Sequence, residues 1–278
     1  MKKRRVISGI AFYISGILLA LLFLLPTIWM IVSSFKEETK IFQDLGSIRA
    51  YLPVNATLEN YRSMLSRLNI LHCIWNSVYY IGIIMLISLP VNSMCGYALA
   101  KFEFRGKKLL MSLILALMVF PFESTVISLF VLVNNMGFVD TRAGLILPFM
   151  ARCFSIYMFR QFFLDVPDEI CEAAEIDGAN RFRTFFSIVV PISGPVFATV
   201  FILDVVLRWS DFMWPLIIII NTNLRTVQLG IQSLFNDTVV YYGIITAALT
   251  IATVPLMLLF IFFQKYYVQG ISTTGMKG

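Results

Sequence analysis

The chain has 278 residues, 59% hydrophobic and only 14% charged, with a mean hydropathy of +0.83. Water-soluble domains carry about 25% charged and about 45–50% apolar residues, so a soluble globular domain is excluded and lipid has to cover the excess apolar surface. The net charge of +6 is concentrated at the start of the chain and in short connections, a distribution that suits a membrane and not nucleic acid.

The hydrocarbon core of a bilayer takes about 20 apolar residues per helix. Six stretches qualify, at 9–32, 73–99, 108–132, 143–162, 194–220 and 240–263. The expected fold class is therefore all-α: a polytopic membrane protein of six transmembrane helices forming one domain over 1–278. The opening Lys2-Lys3-Arg4-Arg5 could begin a signal peptide. The apolar run behind it is long enough to span, however, and no small-x-small cleavage site precedes Ser33-Ser34-Phe35-Lys36. An uncleaved first helix follows from this. In the connection at 33–72, Thr57 is expected to cap a short helix.

With the N-terminus in the cytoplasm, thirteen Lys and Arg fall on the cytoplasmic side and seven outside, with Arg152 and Arg208 inside spans. The positive-inside rule then expects both termini in the cytoplasm. The second span contains Asn76, with Tyr79, Tyr80, Asn92 and Tyr97 as further hydrogen-bonding wall residues. The third carries Glu123 just after Pro121, and the fourth carries Arg152.

The stretch 161–193 is expected to be helix, turn, helix. Pro167 suits a helix start, and Asp168 and Glu169 sit at its positive end. Gly178 permits the left-handed backbone that stops it. A second helix is expected from Asn180 to Val189, with Pro191 near the start of the fifth span. An amphipathic loop that only lies on the bilayer would have the same composition.

In the fifth span, Asp204, Arg208 and Asp211 follow an i, i+4, i+7 spacing that places them on one face. Each charge at a helix centre costs roughly 2.5–3.5 kcal/mol, so three of them are expected to face the bundle interior or a polar cavity. An internal salt bridge and a solute pathway both satisfy that requirement. In either case, removing Arg208 is expected to leave both aspartates unpaired. Trp209 and Trp214 suit stacking on sugar rings, packing, or anchoring at an interface. His72 is the only histidine, and the four cysteines, at 73, 95, 153 and 171, have no metal or redox spacing. No catalytic residue and no metal site is expected. The chain has no Gly-x-x-x-x-Gly-Lys-Ser/Thr phosphate loop.

The run Glu172-Ala173-Ala174, three residues, Gly178, then an aromatic-rich stretch ending in Pro191 resembles the signature loop of ATP-binding-cassette importer permeases. Several other stretches are similar to the maltose-type sugar permeases. They are Thr57-Leu58-Glu59-Asn60-Tyr61, Asn76-Ser77, Gly96-Tyr97-Ala98-Leu99-Ala100-Lys101-Phe102, Phe104-Arg105-Gly106-Lys107, Trp209-Ser210-Asp211-Phe212-Met213-Trp214-Pro215-Leu216, and the ending from Val268 to Gly278. Ser210 stands where that family usually has Asn, so no role of the amide is carried over.

The resemblance implies a division of labour. The 161–193 loop would dock as a coupling helix on a separate ATPase. Glu172 would pair with a basic group there, Ala173 and Ala174 would allow close approach, and Gly178 would make the turn. Asp177, Ala179 and Phe182 would lie in the same surface. ATP and Mg would reside in two partner ATPase subunits, with no cofactor in this chain. A second homologous permease and an extracellular or periplasmic solute-binding protein would complete an importer in the bacterial cytoplasmic membrane, and the tail Ile271 to Gly278 would reach the ATPases. The expected function is permeation of sugars or oligosaccharides, along a pathway through Asp204, Arg208, Trp209, Asp211, Glu123 and Asn76. Alternatives are glycerol phosphate or an acidic sugar as solute, a secondary transporter, which would show paired halves, and a membrane-embedded enzyme, which one histidine poorly supports.

Overall fold

Lipid offers the backbone no hydrogen-bond partner, so apolar stretches of this length satisfy their own amides as helices. The computed structural model describes the backbone of residues 2–236 and 238–274 and the side chains of 12–236 and 238–264, and the described residues contain helices and no strand. In chain order the helices are α1 (Lys2–Ser34), α2 (Glu38–Gln43), α3 (Glu59–Arg67), α4 (Ile70–Lys101), α5 (Lys107–Val119), α6 (Phe122–Asn135), α7 (Arg142–Ile146), α8 (Cys153–Leu164) and α9 (Asp168–Ile176). Next comes α10 (Arg181–Thr184), which runs through a π-helical turn at Phe185–Val189 into α11 (Val190–Ile192). The last four are α12 (Gly194–Trp209), α13 (Met213–Ile218), α14 (Val227–Ser233) and α15 (Tyr242–Thr274).

Four stretches are long and apolar enough to cross a membrane: Phe12–Ser34, Ile70–Lys101, Arg142–Leu164 and Tyr242–Gln264. Two helix pairs meet the same test only together, each bent at a short break, so the described residues hold up to six spans if each bent pair is one. The third span breaks between α5 and α6 with a bend of 105°. Pro121 fixes its own φ at −67° and drives the preceding Phe120 to an extended ψ of 123°. The fifth span begins at Gly194, as expected, and meets the preceding arm Arg181–Ile192 at Ser193 with a bend of 79°. It ends at Trp209, eleven residues before the expected end at 220. Pro26, Pro90 and Pro255 stay inside helices, as membrane helices tolerate.

The chain forms two compact units, residues 1–70 with 230–254, and 71–229 with 255–278. In the first unit, every residue from 12 to 26 of α1 is exposed, with Phe12 and Phe23 both at 74%. Such a surface calls for lipid. Beyond α1, the Lys36 ammonium is 1% exposed and donates to Asp44 Oδ2 (2.8 Å) and the Arg49 carbonyl (2.6 Å). Asn60 Nδ2 donates to the carbonyls of Ser34 and Lys36. The Glu38 carboxylate accepts from the Tyr242 and Gly243 amides, each at 2.8 Å, satisfying donors that the start of α15 cannot satisfy itself. Thr57 acts one residue off its expected place: α3 begins at Glu59 with Leu58 at the cap, and Thr57 Oγ1 accepts from the Glu59 amide.

The second unit is organised on α4 and α8. A Cβ on Gly96 would lie 2.6 Å from the Phe159 Cβ and 2.9 Å from the Arg160 amide nitrogen, so only glycine permits this contact. Around it, Tyr97, Phe159, Phe163, Phe185, Val189, Val196 and Val200 form a buried cluster. A second aromatic group, Phe122, Phe149 and Trp214, has ring centroids 5.9–6.4 Å apart.

Candidate functional site

The stretch after Phe163 folds into the expected hairpin. α9 opens with Asp168 and Glu169 in its first turn, where the helix dipole favours acid. It stops at Gly178, whose φ is +81°. The Gly178 amide reaches the Glu175 carbonyl (3.0 Å) and the Ala179 amide the Ala174 carbonyl (2.9 Å), the paired bonds of a Schellman cap. Asn180 then caps α10 by accepting from the Arg183 amide at 2.9 Å. The second arm therefore starts at Arg181 and extends to Ile192, three residues beyond the expected Val189.

Ala174 is the buried side of α9, while Glu172, Ala173 and Asp177 are exposed and Ala179 is half-buried. Ile176 and Phe182 are 87% and 71% exposed. Both large apolar side chains therefore stand at the surface of the hairpin, beside the exposed Glu172 and Asp177.

The hairpin is tied to the end of α4. The Lys101 ammonium donates to the Val166 carbonyl (2.5 Å) and to Asp168 Oδ1 (2.6 Å), with its side chain only 9% exposed. The Tyr97 hydroxyl lies 3.8 Å from Cys171 Sγ, and the Arg181 guanidinium sits 4.6 Å over the Phe102 ring. In the following connection, the hydrogen bond and charge of Lys107 hold the exposed Glu103 carboxyl below its usual range.

The intramembrane charges form two separate pairs, not one triad. Arg152 Nη1 pairs with Asp204 Oδ1, and Ser155 Oγ donates to Asp204 Oδ2 at 2.9 Å. The Arg152 backbone amide donates to Asn92 Oδ1. Arg208 Nη1 instead pairs with Asp211 Oδ2 at 3.3 Å, and its guanidinium stacks 3.8 Å from the Phe149 centroid. Asp211 lies beyond the end of α12, and its Oδ1 accepts from the Trp214 amide. The helical spacing that placed all three charges on one face fails because the helix stops at Trp209. The expectation that Arg208 holds Asp204 is thus corrected: Arg152 holds it. Arg152, Asp204 and Arg208 border a small open cleft that Ile84, Met85, Phe149 and Ala151 complete.

The other candidate pathway residues are dispersed. Asn76 is 7% exposed, and its Nδ2 donates to the Asn223 and Arg225 carbonyls. Glu123 is exposed in the first turn of α6. Trp209 is 4% exposed; Trp214 is fully buried, with Nε1 donating to the Gly144 carbonyl at 3.0 Å. Both indoles are packing groups within this chain.

Sequence reasoning assigned no role to Lys101 and none to Asp140. The carboxylate of Asp140 accepts from the Ile220 and Asn221 amides, and its φ of +57° marks a turn. Only the apolar neighbours of Lys101, and the Gly that follows three residues before Asp140, hinted at either. The expected reach of the Ile271–Gly278 tail falls on side chains outside the described residues.

Comparisons with known proteins complete the description. The chain is 32% identical to the arabinooligosaccharides transport system permease protein of Halalkalibacterium halodurans, over 94% of this chain and 93% of that protein. It is 33% identical to the trehalose/maltose transport system permease protein of Thermococcus litoralis, over 99% of each. Its fold matches a chain in the crystal structure of a bacterial ABC transporter involved in import of the acidic polysaccharide alginate, with a TM-score of 0.80 at 22% identity, covering 94% of this chain and 96% of that one. Residues 92–273 match the family described as binding-protein-dependent transport system inner membrane component. With that match and an all-helical multi-pass fold, the chain belongs to the family of binding-protein-dependent importer permeases of the inner membrane.

Proposed function

We propose that this chain is the permease subunit of an ATP-driven importer of neutral sugars or oligosaccharides, its two units acting as one transmembrane domain. The observation that carries this reading is the Schellman-capped hairpin, with Glu172 beside the exposed Ile176 and Phe182. It docks on an ATPase that holds ATP and Mg, while this chain takes no cofactor and catalyses no reaction. A second permease, two ATPase subunits and an external binding protein complete the assembly. The excess of Lys and Arg in alternate connections supports a cytoplasmic hairpin and cytoplasmic termini.

Carbohydrate as the solute class is supported by the relatives named above. A glycerol-3-phosphate permease protein of Brucella abortus is also similar, at 27% identity over 99% of each chain, and it favours an anionic solute as the second reading. The charges argue against that reading: Arg152 and Arg208 are each matched by a carboxylate, so the cleft has no uncompensated cation to trap an anion. Asp204 with Arg152, and Arg208 with Asp211, line the pathway as two neutral pairs, and Glu123 adds an exposed carboxylate to it.

The test is gentle affinity purification from native membranes with mass spectrometry. A second permease and an ATPase are expected, and Glu172→Lys is expected to lose the ATPase alone. The captured binding protein, screened against neutral oligosaccharides, uronic acids and glycerol phosphate, identifies the solute class. A homo-oligomer that transports without ATP would overturn the reading.

A further inference from the structure

The two ends of α4 are both held by buried polar side chains, and each end holds backbone of a different connection. At one end is Lys101, the last residue of the 32-residue helix. A lysine at a helix C-terminus is ordinarily explained by the helix dipole and remains hydrated. This one is 9% exposed, and its ammonium reaches the Val166 carbonyl and Asp168, at the positive N-terminal end of α9. A cation there is opposed by the dipole of α9. The end of α4 favours a cation, but the burial of the ammonium is accounted for by its two specific acceptors.

At the other end, Asn76 Nδ2 donates to the carbonyls of Asn223 (2.8 Å) and Arg225 (3.1 Å), and Ser77 Oγ accepts from the Val227 amide (2.8 Å). His72 Nε2 lies 2.8 Å from the Asn223 carbonyl. Asn76 and Ser77 are 7% and 2% exposed. All these bonds are to backbone, so they hold the position of the segment 223–227 whatever its side chains.

Between these ends α4 is one continuous helix, about 48 Å long at 1.5 Å per residue. Its side-by-side contact with α8 at Gly96 lets it move with that helix as a packed body. We propose that α4 is a transmission strut: Lys101 clamps the start of the coupling hairpin, Asn76 and Ser77 grip segment 223–227, and a displacement of the hairpin by the ATPases is delivered along α4 to that segment on the opposite side of the membrane. The proposal rests on the coupling-loop reading above. Lys101 is a positioning residue, since it touches neither solute nor nucleotide.

The experiment uses the importer purified with its second permease, ATPases and binding protein, reconstituted in lipid nanodiscs so that reagents reach both faces. The side chain of Asn223 is exposed and its contacts to α4 are made by backbone, so Asn223→Cys serves as the reporter. A membrane-impermeant maleimide is the probe, and the unsubstituted chain supplies the background of Cys73, Cys95, Cys153 and Cys171. The rate of labelling is compared without nucleotide and with ATP and vanadate.

In the reporter chain the rate is expected to change on trapping. With Lys101→Met the response is expected to shrink roughly tenfold, the scale of one lost charged hydrogen bond, while the ATPase still co-purifies. Lys101→Arg, which keeps the charge and donors, is expected to restore it. If Lys101→Met does not fold, Asp168→Ala breaks the same clamp at a 74% exposed side chain and carries the same expectation. A response in the clamp variant equal to that of the reporter chain, or no response in the reporter chain itself, would overturn the strut. Loss of the ATPase from a folded clamp variant would also overturn it, by making Lys101 part of the docking surface. Glu172→Lys separates the two ideas. If it keeps both the ATPase and the response, the coupling-loop reading fails; if it loses the ATPase while Lys101→Met responds normally, only the strut fails.

Discussion

Asp204 is the residue whose environment is most demanding. It is 4% exposed, and its two oxygens are taken by Arg152 and Ser155. Removing one partner of a buried ion pair leaves an uncompensated charge, which costs about 3–5 kcal/mol. Arg152→Ala is therefore expected to lower the thermal unfolding midpoint in detergent sharply, and Asp204→Asn in the same chain is expected to recover part of the loss by removing the stranded charge. Arg208 is a milder case. Its partner Asp211 keeps the Trp214 amide, so Arg208→Ala is expected to cost about 1–3 kcal/mol. Asp204 is expected to remain paired with Arg152, so Asp204→Asn is expected to destabilise the Arg208→Ala chain as it does the unsubstituted one; a gain in stability instead would contradict this. The sequence required these charges to be sheltered from lipid, and each is paired with a counter-charge in the structure. It could not assign partners. Arg152 and Asp204 are 52 residues apart, and the spacing rule that tied Asp204 to Arg208 says nothing about a neighbouring helix.

At the level of elements, the hairpin was legible residue by residue. Pro167, the acidic first turn, Gly178 and Asn180 are local signals that act through the backbone they occupy. Gly178 also shows what the signal consists of. A Cβ there meets nothing within 4 Å, yet φ is +81°, so the requirement is backbone hand and not space. Gly178→Asn is expected to keep the ATPase bound, because Asn visits this region. Gly178→Val, with its branched Cβ, is expected to cost about 1–2 kcal/mol in that conformation and to weaken ATPase retention in pull-downs. The broken third span was not foreseen, although its cause was in view: Pro121 restricts Phe120 as well as itself. Pro121→Ala is expected to relax the 105° bend, measurable as a longer distance between spin labels placed in α5 and α6. An unchanged distance would put the cause in the packing of Phe122 against Phe149 and Trp214.

For the whole molecule, composition required lipid, and the exposed helices agree. Leu109, Leu113 and Val119 of α5 are 66%, 52% and 83% exposed, and Phe260 and Phe262 of α15 are 57% and 71%. The orientation makes a direct prediction. Single cysteines at Arg105 and Arg183 are expected to react with an impermeant reagent only in inside-out vesicles, and one at Asn223 only in right-side-out vesicles. The reverse pattern would invert the proposed topology and move the hairpin away from any cytoplasmic ATPase.

The sequence by itself determined that the chain lives in a membrane, roughly where its helices lie, how the hairpin starts and stops, and which family it resembles. These depend on solvation and on backbone preferences, which act over a few residues. Only the tertiary structure decided that Asp204 belongs to Arg152, that α12 stops at Trp209, that both tryptophans of the Trp209–Trp214 run are packing groups, and that Lys101 holds the hairpin. Apart from the end of α12, each of these is a contact between segments distant in sequence, selected by which faces meet when the bundle packs, and no local pattern records that choice.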